Sequence, residues 1–446
     1  MKRVAVVGSG IAGLAAARTL ERAEGLRVTL FESAERFGGH ANTLDVTLPD
    51  RAGRPVTHGV DTGFLVYNER TYPLLTDLFE TLGVVTAPSD MSFSVQAPRG
   101  AGGGSGALEW SGSSLDTVFA QRRNLVSPRF WWMLREILRF NALATGIAAA
   151  AHDAALGEPL GGFLERHGFG RAFTEGYLLP MVACIWSCPT GQMLEFPVAT
   201  LIRFCHNHGL LQVADRPAWR TVRGGSRHYV RAMLGGISEL RPATPVQQVR
   251  RDAHGVEVFS DRGAERFDAL VLACHAPQAL ALLGADAAPQ ERALLANFRT
   301  QPNRALLHTD TGLMPRSRKA WAAWNFERST GDDGRDGDAA SVCLHYWIDR
   351  LQPLPFARPV LVSLNPVRPP RESSVLARLD YAHPVFDAAA IDAQRRLGTI
   401  QGLARTWFCG AWTGYGFHED GLRSGIEAGR QLAASLARAS ELRLAA

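Results

Sequence analysis

Lysine is nearly absent from this chain: only Lys2 and Lys319 occur, so arginine carries almost all of the positive charge. The 48 basic residues exceed the 43 acidic ones by a formal +5 over 446 residues. No concentrated basic stripe accompanies that small excess, which excludes a nucleic-acid surface of the usual electrostatic kind. The arginine preference reads as composition bias; the alternative reading is a basic surface for anionic lipid or substrate. Cysteine is scarce, with six residues and no C-x-x-C pair. That excludes a disulfide scaffold and predicts reduced thiols in a cytoplasmic protein. No apolar run approaches the roughly 18 residues a membrane helix needs. The opening apolar segment, residues 4–7, is too short for a signal peptide. Internal repeats are also missing. With 46% hydrophobic and 20% charged residues, the composition is that of a globular protein with a large core.

Val4-Ala5-Val6-Val7 reads as a buried parallel strand, residues 11–24 as an alanine-rich helix, and residues 27–31 as a second strand ending at Glu32. Leu74, Leu75, Leu78, Phe79 and Leu82 predict a helix over 71–83. A hairpin is expected from 93–96 and 108–110 around a glycine-rich loop at 100–106. Residues 115–180 read as mainly helical. Within them, 129–140 is amphipathic, with an aromatic face and arginines; it is read as docked on its own domain, with a membrane surface as the alternative. Strands are expected at 246–250, 256–259, 269–273, 303–309 and 341–348. Residues 403–409 lead into Gly410, and a helix over 422–439 closes the chain. The first and last segments read as one nucleotide-binding unit interrupted by long insertions.

Gly8-Ser9-Gly10-Ile11-Ala12-Gly13 is G-x-G-x-x-G between a predicted strand and a predicted helix. Gly8 permits the tight turn, Gly10 lets backbone approach a pyrophosphate, and Gly13 lets helix pack on sheet. The helix N-terminus offers N–H groups to phosphates. Glu32, 19 residues beyond Gly13, is placed to accept hydrogen bonds from ribose hydroxyls and disfavours a 2′-phosphate. The fingerprint alone leaves NAD and FAD open.

Further segments decide between them: Ser33-Ala34-Glu35-Arg36-Phe37-Gly38-Gly39-His40, Val60-Asp61-Thr62-Gly63-Phe64, Phe408-Cys409-Gly410-Ala411-Trp412 and Gly421-Leu422-Arg423-Ser424-Gly425. The set resembles the FAD-binding flavin amine oxidase and phytoene desaturase superfamily over the whole chain. A narrower resemblance rests on Ile185-Trp186-Ser187, Leu194-Glu195-Phe196-Pro197, Asn207-His208-Gly209-Leu210-Leu211, Arg216-Pro217-Ala218-Trp219, Gly224-Gly225-Ser226 and Phe417-His418-Glu419-Asp420-Gly421. These look like bacterial FAD-dependent oxidoreductases similar to the amino-terminal domain of plant cyclopropane-fatty-acid synthases. That resemblance implies lipid acyl chemistry and a functional link to a cyclopropane-fatty-acid synthase.

The resemblance implies an α/β fold: a Rossmann-like FAD-binding domain with an inserted α+β substrate domain. Segments 1–88, 221–297 and 398–446 are assigned to the FAD-binding domain, and 89–220 and 298–397 to the substrate domain. It further implies that Gly38, Gly39 and His40 line the pyrophosphate and ribityl chain. The superfamily usually has Arg where His40 stands, so a cationic contact is expected to weaken or become pH-dependent. Gly63 and Phe64 are expected to approach the flavin, Val246 the adenine, and Gly410 and Ala411 the pyrophosphate or ribityl. Leu422 is expected to begin the last helix, whose N–H groups face the flavin and favour hydride uptake.

Many amine oxidases of this superfamily keep a lysine near the flavin; here Asn303 occupies the corresponding position, and Lys319 reads as a surface residue. No aromatic pair of the kind that holds a neutral amine is recoverable. Both departures count against simple amine oxidation. Asn303 and His418 are the candidate catalytic residues. A histidine exchanges a proton near neutral pH without a large pKa shift, and Glu419 or Asp420 is expected to orient His418; the alternative is that these residues cap the last helix. Cys184, Cys188, Cys205, His206 and His208 lie close in sequence but lack a standard zinc spacing, so no metal site is expected. Trp186 and Trp219 are read as core or cavity lining. The leading expectation is hydride transfer from an apolar, fatty-acyl substrate to flavin. Alternatives are an amine oxidase with an altered site, a redox-neutral double-bond isomerase, and a non-catalytic partner of a cyclopropane synthase. The chain is expected in the cytoplasm, with peripheral contact to the inner membrane surface.

Overall fold

A computed structural model describes residues 1–97, 107–150, 158–212, 216–328 and 342–445. The glycine-rich loop expected at 100–106 lies outside them. Five parallel strands form one sheet in the order Glu239–Arg241, Leu26–Phe31, Lys2–Val7, Ala269–Leu272, Thr406–Phe408. The first strand of the chain lies at its centre. Both faces are covered, so the apolar runs are continuous rather than alternating. Val4, Val6, Val28 and Leu30 pack under the helices on one face, whereas Ala5, Val7, Phe31 and Leu270 pack toward a second layer on the other. That second layer is the antiparallel meander Val246–Asp252, Gly255–Ser260 and Gly263–Phe267. The helices Ile11–Glu21 and His418–Ala445 cross at very short range. A Cβ on Gly425 would stand 2.1 Å from the Ala12 carbonyl oxygen, so only glycine fits there.

A seven-stranded mixed sheet forms the other half, in the order Val375–Val385, Arg299–His308, Leu361–Leu364, Cys343–Trp347, Trp324–Glu327, Phe93–Ala97, Leu108–Ser111. Among the described residues its only parallel pairing joins Trp324–Glu327 to Phe93–Ala97. A helical layer over this sheet includes Pro128–Ala149, Leu179–Trp186 and Val198–Asn207. Pro128–Ala149 buries Phe130, Met133 and Phe140 and leaves Trp131, Trp132 and Leu138 exposed. Thus the amphipathic segment docks by one face and presents the other outward. A small sheet, Tyr67–Asn68, Trp219–Val222 and Thr86–Ser89, joins the two halves. The expected boundaries at 88/89 and 220/221 both cut through it. Among the described residues no helix is long and apolar enough to cross a membrane.

Candidate functional site

The loop after the first strand makes a cradle. Gly8 has φ +102°, which an L side chain rarely adopts. A Cβ on Gly13 would lie 1.9 Å from the Gly8 carbonyl oxygen, whereas a Cβ on Gly10 would meet nothing within 4 Å. Gly10 therefore faces open space at the helix N-terminus. The first helical hydrogen bond is from Leu14 N–H to Gly10 at 3.0 Å, which leaves the N–H groups of Ile11, Ala12 and Gly13 ahead of it. Ala12 has a second role, because its carbonyl side packs beneath Gly425.

Glu32 braces this cradle. Its carboxylate accepts from the Ser9 amide at 3.0 Å, the Ser9 hydroxyl at 2.5 Å and the Ala34 amide at 2.9 Å. The Ser9 hydroxyl in turn accepts from Gly38 N–H at 3.1 Å, so Gly38 and Gly39 lie over the fingerprint, and a Cβ on Gly39 would stand 3.0 Å from the Gly10 Cα. Val246 is brought to the same end. Thr244 N–H donates to the Glu32 carbonyl oxygen at 2.8 Å, two residues before the meander opens.

His40 lies at the meeting point of the two halves. Its carbonyl oxygen accepts from Phe64 N–H at 2.8 Å, and a Cβ on Gly63 would strike that same oxygen at 2.2 Å. Its ring packs against Tyr381, His383 and His275, with centroids 5.1, 5.3 and 6.2 Å away. Burial, with the neighbouring imidazoles, pushes its pKa well below 6.5. That direction is the one in which the cationic contact expected of His40 weakens, because burial disfavours the charged ring. Positive charge comes instead from Arg36, whose guanidinium donates to the Gly39 carbonyl oxygen at 2.9 Å.

Asn303 is buried and points into this cluster. Its amide donates to His383 Nδ1 at 3.1 Å and to the Gln301 carbonyl oxygen, while its Oδ1 accepts from the Asn365 amide at 2.7 Å. His383 Nδ1 is therefore an acceptor, and the neutral ring carries its proton on Nε2. Burial lowers His383 to about 4.

His418 opens the last helix but differs from expectation in two respects. Its ring stacks on Phe64 at 3.8 Å between centroids, Nε2 lies 2.9 Å from the Tyr229 hydroxyl, and burial pushes its pKa down to about 3. A large shift is therefore present where none was expected. Nor do the adjacent acids orient it. Glu419 accepts from the Leu74 and Leu75 amides at the start of helix Pro73–Thr81, and Asp420 accepts from the Phe417 amide. Tyr229 and Phe64 hold His418 instead. The role given to Leu422 also moves. The helix begins at His418 and Gly421 N–H already bonds the Phe417 carbonyl oxygen, so the free donors belong to His418, Glu419 and Asp420; Leu422 is buried in the core. Gly410 donates its N–H to the Ser424 hydroxyl at 3.0 Å, which ties the Gly410-Ala411 turn to the same helix.

An aromatic wall continues from this helix. Phe417 stacks on Phe204 at 5.0 Å, Phe204 stacks on His208 at 3.9 Å, and Trp186 joins at 4.8 Å. The Trp186 indole N–H donates to the Tyr415 carbonyl oxygen at 3.0 Å. Trp186 is buried in the core, and Trp219 is partly buried against it. Cys184, Cys188 and Cys205 are buried free thiols. His208 Nδ1 contacts the Phe204 carbonyl oxygen at 3.0 Å, and burial lowers this histidine to about 4.

Asp61 went unassigned in the sequence although its motif was noted. Its buried carboxylate accepts from Thr43, the Ser226 amide and hydroxyl, and Gln352, clamping three distant segments together. Tyr229, Tyr381, His275 and His383 likewise carry no motif of their own. Strand pairing marks two of them, Tyr381 directly opposite Asn303 and His383 two residues on.

Residues 6–82 match the NAD(P)-binding Rossmann-like domain. Among curated proteins, the carotenoid phi-ring synthase of Streptomyces griseus is 29% identical over 67% of this chain and 58% of its own length. A Mycobacterium tuberculosis protein assigned as a flavin-containing monoamine oxidase, AofH, is 26% identical over 74% of this chain and 67% of its own. Cyclohexylamine oxidase from Brevibacterium oxydans superposes with TM-score 0.65 at 16% identity over 98% of this chain and 99% of that one. The CLA-producing fatty acid isomerase from P. acnes gives 0.63 at 14% identity over 96% and 97%. The chain has the flavin amine oxidase-like fold. The cradle has the features of a dinucleotide site, which FAD, the cofactor the sequence resemblance implies, would occupy. The residues fit: Gly10 opens onto free space, the helix N–H groups converge there, and His40 Nε2 is buried with no hydrogen-bond partner among the described residues.

Proposed function

We propose that this chain is an FAD-dependent oxidoreductase that takes hydride from one carbon of an apolar, fatty-acyl substrate while the neighbouring carbon gives up a proton to the His418 imidazole, leaving a desaturated product, with oxygen or an electron carrier as final acceptor. The observation carrying this reading is the absence of a buried cation beside Asn303 among the described residues: Asn303 stands at the lysine position and reaches His40, whose pKa burial lowers, through His383. FAD supplies the hydride acceptor when bound. The chain's own residues position and desolvate. Phe204, Phe417, Trp186 and Phe196 wall off water and favour an acyl chain over a charged group. His383, fixed by Asn303, offers an Nε2 proton, and His418 with Tyr229 forms a second neutral pair. The five-segment division into FAD-binding and substrate domains belongs to the same reading, and the site lies where the two meet.

The resemblance to the amino-terminal domain of plant cyclopropane-fatty-acid synthases and the carotenoid and fatty-acid names of two relatives support a lipid substrate. A cyclopropane synthase is accordingly the proposed functional partner. Trp131, Trp132, Leu125, Val126 and Leu138 are exposed beside Arg122, Arg123, Arg129 and Arg135, which supports peripheral contact with an anionic inner membrane surface from the cytoplasmic side. A second reading, redox-neutral double-bond isomerisation at the same site, is favoured by the likeness to a fatty acid isomerase. Anaerobic addition of host phospholipids to the purified protein separates them. Bleaching of the flavin bands supports dehydrogenation. Unchanged colour with a moved double bond and unchanged mass supports isomerisation. Unchanged colour with unaltered lipid, and bleaching by amines instead, overturns the lipid reading.

A further inference from the structure

The geometry points to a zinc-class divalent metal site on the seven-stranded sheet, built from Glu327, Cys343 and His345. The site belongs to a different sheet face from the flavin cradle and does not depend on the proposed reaction.

Strand register creates it. Glu327 stands directly opposite Cys343, and His345 follows two residues on, so all three side chains share one face. Their donor atoms converge. Cys343 Sγ and His345 Nε2 are 3.5 Å apart, His345 Nε2 and Glu327 Oε2 2.9 Å, and Cys343 Sγ and Glu327 Oε2 3.8 Å. Tetrahedral zinc with bonds of about 2.0–2.3 Å to oxygen, nitrogen and sulfur holds its ligand atoms about 3.3–3.6 Å apart. Small shifts therefore convert the observed triangle into three corners of a metal tetrahedron. Thiolate, imidazole and carboxylate are also the donor types zinc selects.

The surroundings complete the argument. His345 Nδ1 lies 2.6 Å from the Ser363 hydroxyl, which lies 2.7 Å from His308 Nε2. His308 Nδ1 accepts from the Asp310 amide, so the His308 proton is on Nε2 and points at Ser363. Ser363 is thus placed to accept from His345 Nδ1–H, which frees Nε2 for a metal and fixes the ring as outer partners of zinc histidines do. Cys343 and His345 are buried, whereas the Glu327 side chain is 13% exposed. The fourth position, a water, is reached from the Glu327 side. The other Glu327 oxygen faces Arg368 at 3.5 Å, so a single oxygen is left for the ion. The rival arrangement is a metal-free His345–Glu327 ion pair beside a thiol.

The holoprotein, dialysed first against zinc and then against metal-free buffer, is expected to retain one zinc per chain by plasma emission spectroscopy. Cobalt(II) loading is expected to give tetrahedral bands in the red, beyond the flavin absorption, with a thiolate charge-transfer band. Cys343→Ser should abolish that band and weaken metal retention by more than about tenfold, while Cys188→Ser leaves both unchanged. Absence of cobalt bands from the wild-type protein overturns the assignment, whatever the variants do. So do bands that survive Cys343→Ser in protein retaining its flavin spectrum.

Discussion

Acidification from pH 7 to pH 5 is expected to destabilise the chain, and His418→Gln is expected to remove one proton from that response. His418 is held at about 3 by burial, against about 6.5 for an unfolded histidine. The folded value is the depressed one, so below about pH 6.5 the unfolded chain binds a proton that the folded chain refuses. Stability is therefore fully present above that pH and lost as pH falls toward 3, at about 1.4 kcal/mol per pH unit per group. His208, His308 and His383, each lowered to about 4 by burial, act in the same direction. Asp61 and Asp420 oppose them. Burial raises each to about 6, so near pH 5 the folded chain keeps protons that unfolded carboxylates have released. His40 and His275, also lowered by burial, add to the histidine side, so unfolding takes up protons on balance at pH 5, and His418 accounts for about one of them, or about 1.4 kcal/mol per pH unit. Urea unfolding of FAD-saturated protein at several pH values between 5 and 6 gives this slope directly. His418→Gln should show about one proton fewer than the wild type. Equal slopes would refute the neutral, buried assignment of His418.

Further substitutions address the cradle and the outer surface. Gly13→Ala forces a Cβ to 1.9 Å from the Gly8 oxygen, whereas a Cβ on Gly10 meets nothing. The first should lower stability by about 3 kcal/mol or more; Gly10→Ala should leave the thermal midpoint of the flavin-free protein unchanged yet reduce bound flavin per chain, and flavin retention equal to wild type in Gly10→Ala would remove Gly10 from the cofactor path. Replacing Trp131 and Trp132, which are 50% and 51% exposed, by Ala should lower co-sedimentation with anionic liposomes several-fold. Unchanged co-sedimentation would dismiss the membrane contact.

Much of the nucleotide-binding half was legible because its signals are local. Gly8 to Gly13, the two apolar strands and Glu32 lie within a single stretch, and the structure places them as that pattern requires. Short or mixed strands were not legible. Glu239–Arg241 has only three residues, and Val375–Val385 alternates through Arg378, Asp380 and His383, so neither presents an apolar run. Helix starts were also displaced. The final helix was expected at 422 but begins at His418, because Asp420 accepts the Phe417 amide and brings the cap earlier. Residues acting through tertiary contacts were hardest to find. Nothing near Asp61 in sequence announces Ser226 or Gln352, and nothing near Glu419 announces the helix start at Pro73 that it caps.

The two departures from the amine-oxidase pattern were read separately, as Arg replaced by His40 and Lys replaced by Asn303. The structure joins them through one imidazole. Asn303 holds His383 Nδ1 at 3.1 Å, and the His383 ring lies 5.3 Å from His40. A lysine at 303 would put an ammonium against His383, and an arginine at 40 would put a guanidinium against its other side, in a cluster whose histidines are already held neutral by burial. Each cation would then need a carboxylate or water to stabilise it. Asp61 and Glu419 are already occupied by amide and hydroxyl donors elsewhere. On the proposed reading both departures are one physical change, since the desolvation that lowers the imidazole pKa values disfavours a further buried cation beyond the exposed Arg36. On the proposed reading an apolar chain would meet no such penalty there, whereas a protonated amine would have to be desolvated beside imidazoles whose pKa values burial already lowers.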